Sequence, residues 1–223
     1  MRCILISTAL ILLVCAVALP AQTQPAGTIQ ADGSASLNVQ PDQAQLTVSV
    51  STDGATAQAA AQQNATQTNQ VLGALKQLLG ANGSVQTVGY SINPRYSNGA
   101  NPAVIGYTAV NSIQVTTTDL SLPGPLIDAA GANGATNVSG LTFGLQNPDP
   151  TRQQALTAAS KQALAHAAAI AAGLGGKVGA VVSAQESSAA TPVIMASVAS
   201  ASTPIQTGYV SVTASVVVTV QLQ

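Results

Sequence analysis

The last part of the chain alternates strictly between apolar and polar residues, and this pattern leaves little choice of fold. Six apolar residues occupy every second position: Val210, Val212, Ala214, Val216, Val218 and Val220. A period of two is typical of a β-strand with one buried face. The shorter alternation of Leu46, Val48 and Val50 predicts another strand of the same kind. The chain is therefore expected to build sheets that are covered on one face.

Two long segments follow the helical period instead. One apolar stripe consists of Val71, Leu72, Leu75, Leu78 and Leu79, and another of Leu156, Ala159, Ala163, Ala167, Ile170 and Leu174. Residues spaced three and four positions apart lie on one face of a helix. Asp149 is predicted to cap the second helix, with Pro150 at its first helical position.

The remaining apolar segments predict further strands and one short helix. Together with the elements above, they give the predicted order ββαββαβαββ. Hairpins outnumber strict βαβ alternation, which favours an α+β fold with antiparallel sheets and packed helices. We expect two lobes, about 29–92 and about 104–223, joined by a loop at 93–102. The first lobe is expected to open with a hairpin. The second is expected to be a ferredoxin-like split βαβ unit that includes a loop at 185–208.

The N-terminus has the pattern of a secretory signal peptide. An apolar run from Ile4 to Leu19 follows Arg2 and leads into small residues. A membrane anchor would need about 20 apolar residues, and a lipoprotein signal at Cys15 is disfavoured by the large Val14. Residues 1–21 are therefore predicted to be removed after Ala21, followed by a flexible stretch at 22–28. The mature chain is expected to be periplasmic or secreted, with no transmembrane segment.

Cysteine and charge content narrow the chemistry of the mature chain. Both cysteines, Cys3 and Cys15, lie in the predicted signal, so we expect neither disulfides nor thiolate metal sites. Without Arg2, five basic and seven acidic residues remain, a formal net charge of −2. These charges are scattered, and nothing resembles the basic patch that nucleic-acid binding requires. A surface of uncharged polar side chains has little charge repulsion, which favours self-association.

A strand–loop–strand segment from Gln86 to Asn111 carries a resemblance to a known family. The resemblance begins with three features of this segment: Tyr90, Pro94-Arg95-Tyr96 and Gly106-Tyr107. Further matching features lie before and after it. These are Pro41-Asp42, the Asn64 helix, Ile127-Asp128-Ala129, the Phe143 strand, the Ala155–Ala172 helix and Gly208 before the last strand. In this order the set resembles the bacterial SIMPL-domain family, or domain of unknown function 541. The resemblance implies an exported protein without assigned catalytic residues or cofactors. Some members are linked to envelope or oxidative-stress responses, and some look like ring- or channel-shaped oligomers.

The residues themselves predict no catalytic, cofactor or metal site. His166 is the only histidine, and we expect it to be a solvated helix residue because a zinc site needs three or four ligands. Asp119 and Asp128 could form an acid–base pair of a hydrolase. We expect local capping roles for them instead.

Tyr90, Arg95, Tyr96 and Tyr107 are the candidate functional residues, as a possible interface. Tyrosine and arginine concentrate at interface hot spots; the alternative is that these side chains pack on the sheet. The predicted function is a non-catalytic exported envelope protein that forms homo-oligomers or binds other envelope proteins. A small-molecule-binding module with a pocket between the lobes is the alternative, and a hydrolase is the third possibility.

Overall fold

The computed structural model describes residues 27–187, 193–195 and 207–223, which form an α+β fold with two antiparallel sheets. The elements are β1 (Thr28–Val39), β2 (Gln43–Gly54), α1 (Ala57–Leu79), β3 (Gly83–Tyr96), β4 (Val104–Thr117), α2 (Pro123–Ala132), β5 (Asn137–Gly144), α3 (Asp149–Gly173), β6 (Val178–Ser187), β7 (Val193–Met195) and β8 (Tyr209–Leu222). The predicted fold class and element order are confirmed, with the short strand β7 as an addition.

The first sheet, here called the central sheet, has the strand order β3-β4-β2-β5 with all neighbours antiparallel. With α1 and α2 it forms the βαββαβ arrangement of a ferredoxin-like unit, in which β4 lies between β2 and β3. Both helices cover one face. The apolar face of β2 packs against Val71, Leu75 and Leu79 of α1 and against Leu126 of α2. The other face of the sheet carries no helix among the described residues.

The second sheet, here called the terminal sheet, joins the two ends of the chain. β8 lies in the middle, pairs with β1 over twelve residues from Thr28↔Gln221 to Val39↔Val210, and pairs with β6 and β7 on its other side. The alternating residues predicted for β8 are all buried. Their covered face lies against α3, so the cleanest strand pattern in the sequence becomes the centre of this sheet.

The division of strands between the sheets differs from the predicted lobes. β1 and β2 do not form a hairpin, because each pairs in a different sheet. The ferredoxin-like unit is present but spans residues 43–144, whereas β1, α3 and β6 to β8 form the rest. Alternation identifies a strand and its buried face, but it does not specify the partner. The predicted boundaries near 92 and 104 therefore cut through one sheet.

The two connections between the sheets are fastened to each other at Asp42. Its backbone N–H donates to the Gly144 carbonyl at 3.0 Å, and its Oδ1 accepts from the backbone N–H of Gln146 at 2.7 Å. The chain enters the central unit just after Pro41 and leaves it at Gly144. An aspartate after a proline commonly bonds backbone within its own turn; the backbone that Asp42 bonds is about a hundred positions further along the chain.

One fully buried amide fastens α1 to the central sheet. Asn64 is 0% exposed, and its Nδ2 donates to the carbonyls of Val50 at 2.9 Å and Ala109 at 3.0 Å. Its Oδ1 accepts from the Thr68 hydroxyl. A buried carbonyl without a partner is costly, so this side chain fixes the position of the helix over β2 and β4.

The fully buried residues of helix α3, which pack on the terminal sheet, are all alanines, with Leu156 partly buried beside them. These alanines are Ala155, Ala159, Ala163, Ala167 and Ala171. The predicted stripe is wrong at Ile170 and Leu174, which are 44% and 65% exposed. The reason is the very close approach of α3 to β1, where a Cβ on Gly33 would lie 2.1 Å from the Ala159 carbonyl oxygen. Larger side chains do not fit between the two backbones.

Several smaller predictions are also corrected. Asp149 is the first residue of α3 rather than its cap, and Asn147 Oδ1 accepts its backbone N–H. Residues 185–187 belong to β6 and 193–195 form β7, so the predicted loop at 185–208 is partly strand; 188–192 and 196–206 lie outside the described residues. The predicted signal peptide, its cleavage site and residues 22–26 also lie outside them, while Thr28 already belongs to β1. No helix in the described ranges is long and apolar enough to cross a membrane.

Candidate interaction surface

The strands β3 and β4 extend into an exposed ribbon, here called the arm and defined as residues 88–107. β3 is exposed at nearly every position. The arm exposes six large apolar residues, each between 36% and 60% accessible: Val88, Tyr90, Ile92, Tyr96, Val104 and Ile105. The loop at its tip is closed by a hydrogen bond from the Ser97 N–H to the Ala103 carbonyl at 2.8 Å. The arm is therefore an ordered, exposed apolar and aromatic edge of the central sheet, and its residues 95–106 reach beyond the end of β2.

The predicted loop at 93–102 is shorter in the structure, because β3 continues through Pro94 to Tyr96. Pro94 lies opposite Tyr107 in the β3–β4 ladder. Proline has no N–H to donate and is therefore tolerated mainly in edge strands. Its presence between two predicted strands was a signal, missed in the sequence, that β3 is an edge strand extending into the arm.

The four predicted interface residues all lie on the arm but do not form one cluster. Tyr90 is opposite Asn111, and Tyr107 is opposite Pro94; both tyrosines lie on the helix-covered side of the sheet. Tyr90 and Tyr96 are 53% and 56% exposed, so neither is packed in the core, whereas Tyr107 is half-buried. Arg95 lies on the opposite face from Tyr107.

Arg95 is held at the base of the arm by an acidic partner that sequence reasoning did not identify. Its Nη1 donates to Oδ2 of Asp53 at 2.7 Å, and the Thr108 hydroxyl donates to the other carboxylate oxygen. Both charged side chains are about half exposed. An ion pair with this exposure contributes at most about 1 kcal/mol to stability. Its main effect is to orient the arm and neutralise its only charged side chain.

Two of the outer strands, β1 and β3, differ in what covers their free edges. On β1, the Ser34 N–H donates to Oε1 of Gln162 at 2.8 Å, and the Asp32 carbonyl lies 2.8 Å from Nδ1 of His166. Two side chains of α3 thus occupy backbone groups that another strand would use. His166 is exposed as predicted, but it is also part of this edge cover. Within the described part of the chain, no side chain occupies the backbone edge of β3 in this way.

The comparison with known families gives a single result that spans both sheets. A family model described as "SIMPL: Protein of unknown function (DUF541)" matches residues 29–220, from β1 to β8. The chain belongs to the SIMPL family. The match confirms the resemblance stated from the sequence, and the family description assigns no activity. A search of curated proteins finds no match.

Of the two carboxylates considered for acid–base chemistry, Asp119 is held in a local turn. Oδ1 of Asp119 accepts from the backbone N–H of Ser121 at 2.9 Å and from its hydroxyl at 2.6 Å. Both hydrogen bonds lower the pKa of Asp119 below its ordinary value, and the bond from the Ser121 hydroxyl contributes more than the bond from the Ser121 backbone. A general acid needs the opposite shift. Asp128 lies exposed on α2.

The described part of the chain holds no cluster of metal ligands, and the hollow where its two sheets join is small; a larger one, of ≈ 390 Å³, lies at the C-terminal end of α1 beside Gly80 and Gly83. Among residues 27–187, 193–195 and 207–223, no group of three or more His, Cys, Asp or Glu side chains could hold a metal ion. The hollow where the two sheets join is lined by Gln40, Pro41, Leu120 and Tyr209 and has a volume of ≈ 180 Å³. Pockets for small molecules typically measure about 300–1,000 Å³.

Proposed function

We propose that this SIMPL protein is a non-catalytic, exported envelope protein that acts by self-association or by binding other envelope components through the arm. One observation carries the proposal: the arm exposes six large apolar residues in a chain with 6% charged and 2% aromatic residues. Three of the five aromatic residues, Tyr90, Tyr96 and Tyr107, lie on it. Exposed apolar surface of this kind is typical of interaction sites.

The proposed location is the periplasm, or the outside of the cell, with a role in an envelope or oxidative-stress response. The apolar run from Ile4 to Leu19 supports export. A protein without cysteine in its mature part must be stabilised by its core or by partners. The alanine-based packing of α3 fully buries small side chains only, which makes added stability from association useful.

The absence of catalysis is part of the proposal and rests on the roles of the candidate residues. Asp119 is used in a turn and remains ionised, and His166 covers the edge of β1. Asp53, the carboxylate nearest the arm, is occupied by Arg95 and Thr108. These groups serve structure or binding surfaces and are not arranged as a nucleophile with its base.

The test is the solution mass of the protein, measured by size-exclusion chromatography with light scattering after export and purification from the periplasm. We expect a defined oligomer, and we expect the double variant Arg95→Ala/Tyr96→Ala to dissociate it. The matched control is Lys177→Ala/Tyr209→Ala, which removes one basic residue and one tyrosine of similar exposure outside the arm (58% for Tyr209 against 56% for Tyr96).

Two results would contradict the proposal. An oligomer that survives in the arm variant but dissociates in the control would place the interface elsewhere. A monomeric wild-type protein that also fails to retain any envelope component, in the same way as the arm variant, would leave the arm without a binding role. Mass spectrometry of the same preparation checks cleavage after Ala21.

A further inference from the structure

The free edge of β3 is a stretch of exposed backbone that could accept another strand. β3 is an outer strand of the central sheet, and its second edge has no neighbour in the described ranges. Between its two register shifts it runs regularly from Gly89 to Arg95. Backbone N–H and C=O groups along such an edge are a template for strand pairing with another chain.

From Gly89 to Asn93 the edge of β3 lacks the features that usually prevent pairing; Pro94 and the two register shifts lie outside these five residues. β3 contains no lysine, and its one charged residue, Arg95, is neutralised by Asp53. The edge of β1, in contrast, is covered by Gln162 and His166. The same molecule therefore protects one outer strand with side chains and leaves another open. Two copies meeting at β3 bring no unpaired like charges together.

We propose that two copies of this chain pair through β3 as antiparallel strands, related by a two-fold axis at Ser91. The two central sheets then form one continuous eight-stranded sheet. This inference rests on the proposed function, because it names the partner and the contact that the arm uses. A two-fold contact is self-complementary, so every pair of residues occurs twice.

The side chains of β3 match each other in this register. With Ser91 on the axis, Tyr90 lies opposite the partner's Ile92, and Ile92 lies opposite the partner's Tyr90, on the helix-covered side. Both are accessible in the single chain, at 53% and 36%. Aromatic and β-branched side chains are favourable cross-strand neighbours. Gly89 faces the partner's Asn93, and the two Ser91 hydroxyls meet on the open face.

A second copy fits this edge better than an unrelated extended peptide because the reciprocal Tyr90–Ile92 pairs come from one sequence. The register also makes a specific prediction about which residues touch. Directly opposed side chains in an antiparallel pair have Cβ atoms about 4.5–5.5 Å apart, which is near enough for cysteines at the axis to be joined by oxidation with a small backbone adjustment.

The first experiment is oxidative cross-linking of Ser91→Cys in the processed protein from the periplasm, where mass spectrometry establishes that Cys3 and Cys15 have been removed. The matched control is Ser183→Cys, an exposed serine on the other edge strand, β6. We expect a covalent dimer for Ser91→Cys and none for Ser183→Cys. Cross-linking of both variants at equal rates would mean random collision and would overturn the register.

The second experiment is the solution mass of Tyr90→Lys, with Val181→Lys as its control. These residues are 53% and 54% exposed, and both lie on edge strands. A lysine on an edge disfavours pairing, so we expect Tyr90→Lys to halve the mass of the assembled unit and Val181→Lys to leave it unchanged. Dissociation by Val181→Lys alone would assign the contact to β6 and refute the inference.

The failure of this inference is distinguishable from failure of the proposed function. An oligomer that resists Tyr90→Lys but is dissociated by Arg95→Ala/Tyr96→Ala uses the arm without strand pairing. A monomer that retains an envelope component through the arm, tested with the same variants, keeps the proposed function and refutes pairing between copies.

Discussion

Replacing Asn64 with aspartate tests the central fastening of α1 more sharply than any truncation does. The change keeps the size and shape of the side chain but removes both N–H groups that serve the Val50 and Ala109 carbonyls. A protonated carboxyl group can donate one hydrogen bond instead of two. An ionised one donates none and places a negative charge beside two carbonyl oxygens. The hydrogen bond that the side chain at position 64 accepts from the Thr68 hydroxyl can remain in the variant.

The expected loss of stability follows from these contacts. One carbonyl without a partner lowers the free energy of unfolding by about 1–3 kcal/mol at any pH. Because position 64 is 0% exposed, burial should raise the pKa of the new carboxyl by about 3 units or more. Each unit corresponds to about 1.4 kcal/mol. The additional loss near neutral pH is therefore about 4 kcal/mol, a large part of the roughly 5–15 kcal/mol of a typical domain.

The sign of the pH dependence is opposite to that of a salt-bridged carboxylate. A folded-state pKa above the unfolded value of about 3.9 makes the variant lose stability as pH rises from about 4 towards about 7. Urea unfolding followed by circular dichroism, at acidic and neutral pH, measures the difference between variant and wild type. Asn137→Asp is the control. Because Asn137 is exposed on β5, this substitution adds the same charge without burying it.

The reasoning would be refuted by a small, pH-independent effect. If Asn64→Asp differs from wild type by no more than Asn137→Asp at neutral pH, then the amide does not fasten the helix as described. A loss that is large at acidic pH and does not grow towards neutral pH would mean that the carboxyl ionises as readily in the folded as in the unfolded state, so that burial does not raise its pKa and the missing hydrogen bond accounts for the whole effect.

Two glycines and one carboxylate give further tests. Gly33→Ala should lower the free energy of unfolding by about 2 kcal/mol or more, because its Cβ would lie 2.1 Å from a backbone oxygen of α3. Gly73→Ala should instead raise it by about 0.5–1 kcal/mol, since no atom lies within 4 Å of that Cβ in helix α1; urea unfolding of both variants decides, and equal signs would contradict the packing argument. NMR titration should place the pKa of Asp119 below the ordinary aspartate value, and Ser121→Ala should move it back towards that value; an unchanged pKa would show that the Ser121 hydroxyl does not hold the carboxylate.

The elements of the fold were predictable from the sequence because each depends on local periodicity. The alternation of β8 and the stripe of α1 correctly indicate strand and helix, and Val71, Leu75 and Leu79 are buried as expected. Strand partners depend on contacts across the chain. Nothing in β1 distinguishes a partner three residues away from one at the far end, so pairing with β8 was not predictable by pattern.

The prediction of the buried face of α3 was wrong at two residues for a different reason. Hydrophobicity ranks Ile170 and Leu174 above alanine, so a pattern argument places them inside. In the structure the decisive factor is distance, since the backbone of β1 at Gly33 approaches the helix too closely for anything larger than alanine. A glycine on a strand facing a four-residue alanine repeat could have indicated this contact, but only once the two elements were known to be neighbours.

The interface role of the four predicted residues stays a prediction, but their place on adjoining strands was predictable. Tyr90, Arg95 and Tyr96 were selected correctly as residues of one ribbon, and Pro94 carried unused information that the ribbon is an edge. The ion pair between Arg95 and Asp53 joins residues 42 positions apart and depends on the β2–β4 register. Val88 lies at a register shift, and Val104 and Ile105 lie beyond the end of β2; their exposure depends on these features of the sheet, which local sequence does not encode.

The pairing of the first strand with the last gives the chain a built-in order of events when it is synthesised and exported from one end. Residues 43–144 are contiguous and contain every strand and helix of the central unit, so this unit has all its partners long before the chain is complete. β1 is synthesised and exported first, but it cannot pair until its partner β8 has also been exported. Closing so long a loop is slow because it costs chain entropy. Once the central unit has folded, the contact between Asp42 and Gly144 brings the segments before β2 and after β5 together. Loss of the final strand would therefore leave a folded centre, with β1 unpaired and the part of α3 that packs on β8 uncovered.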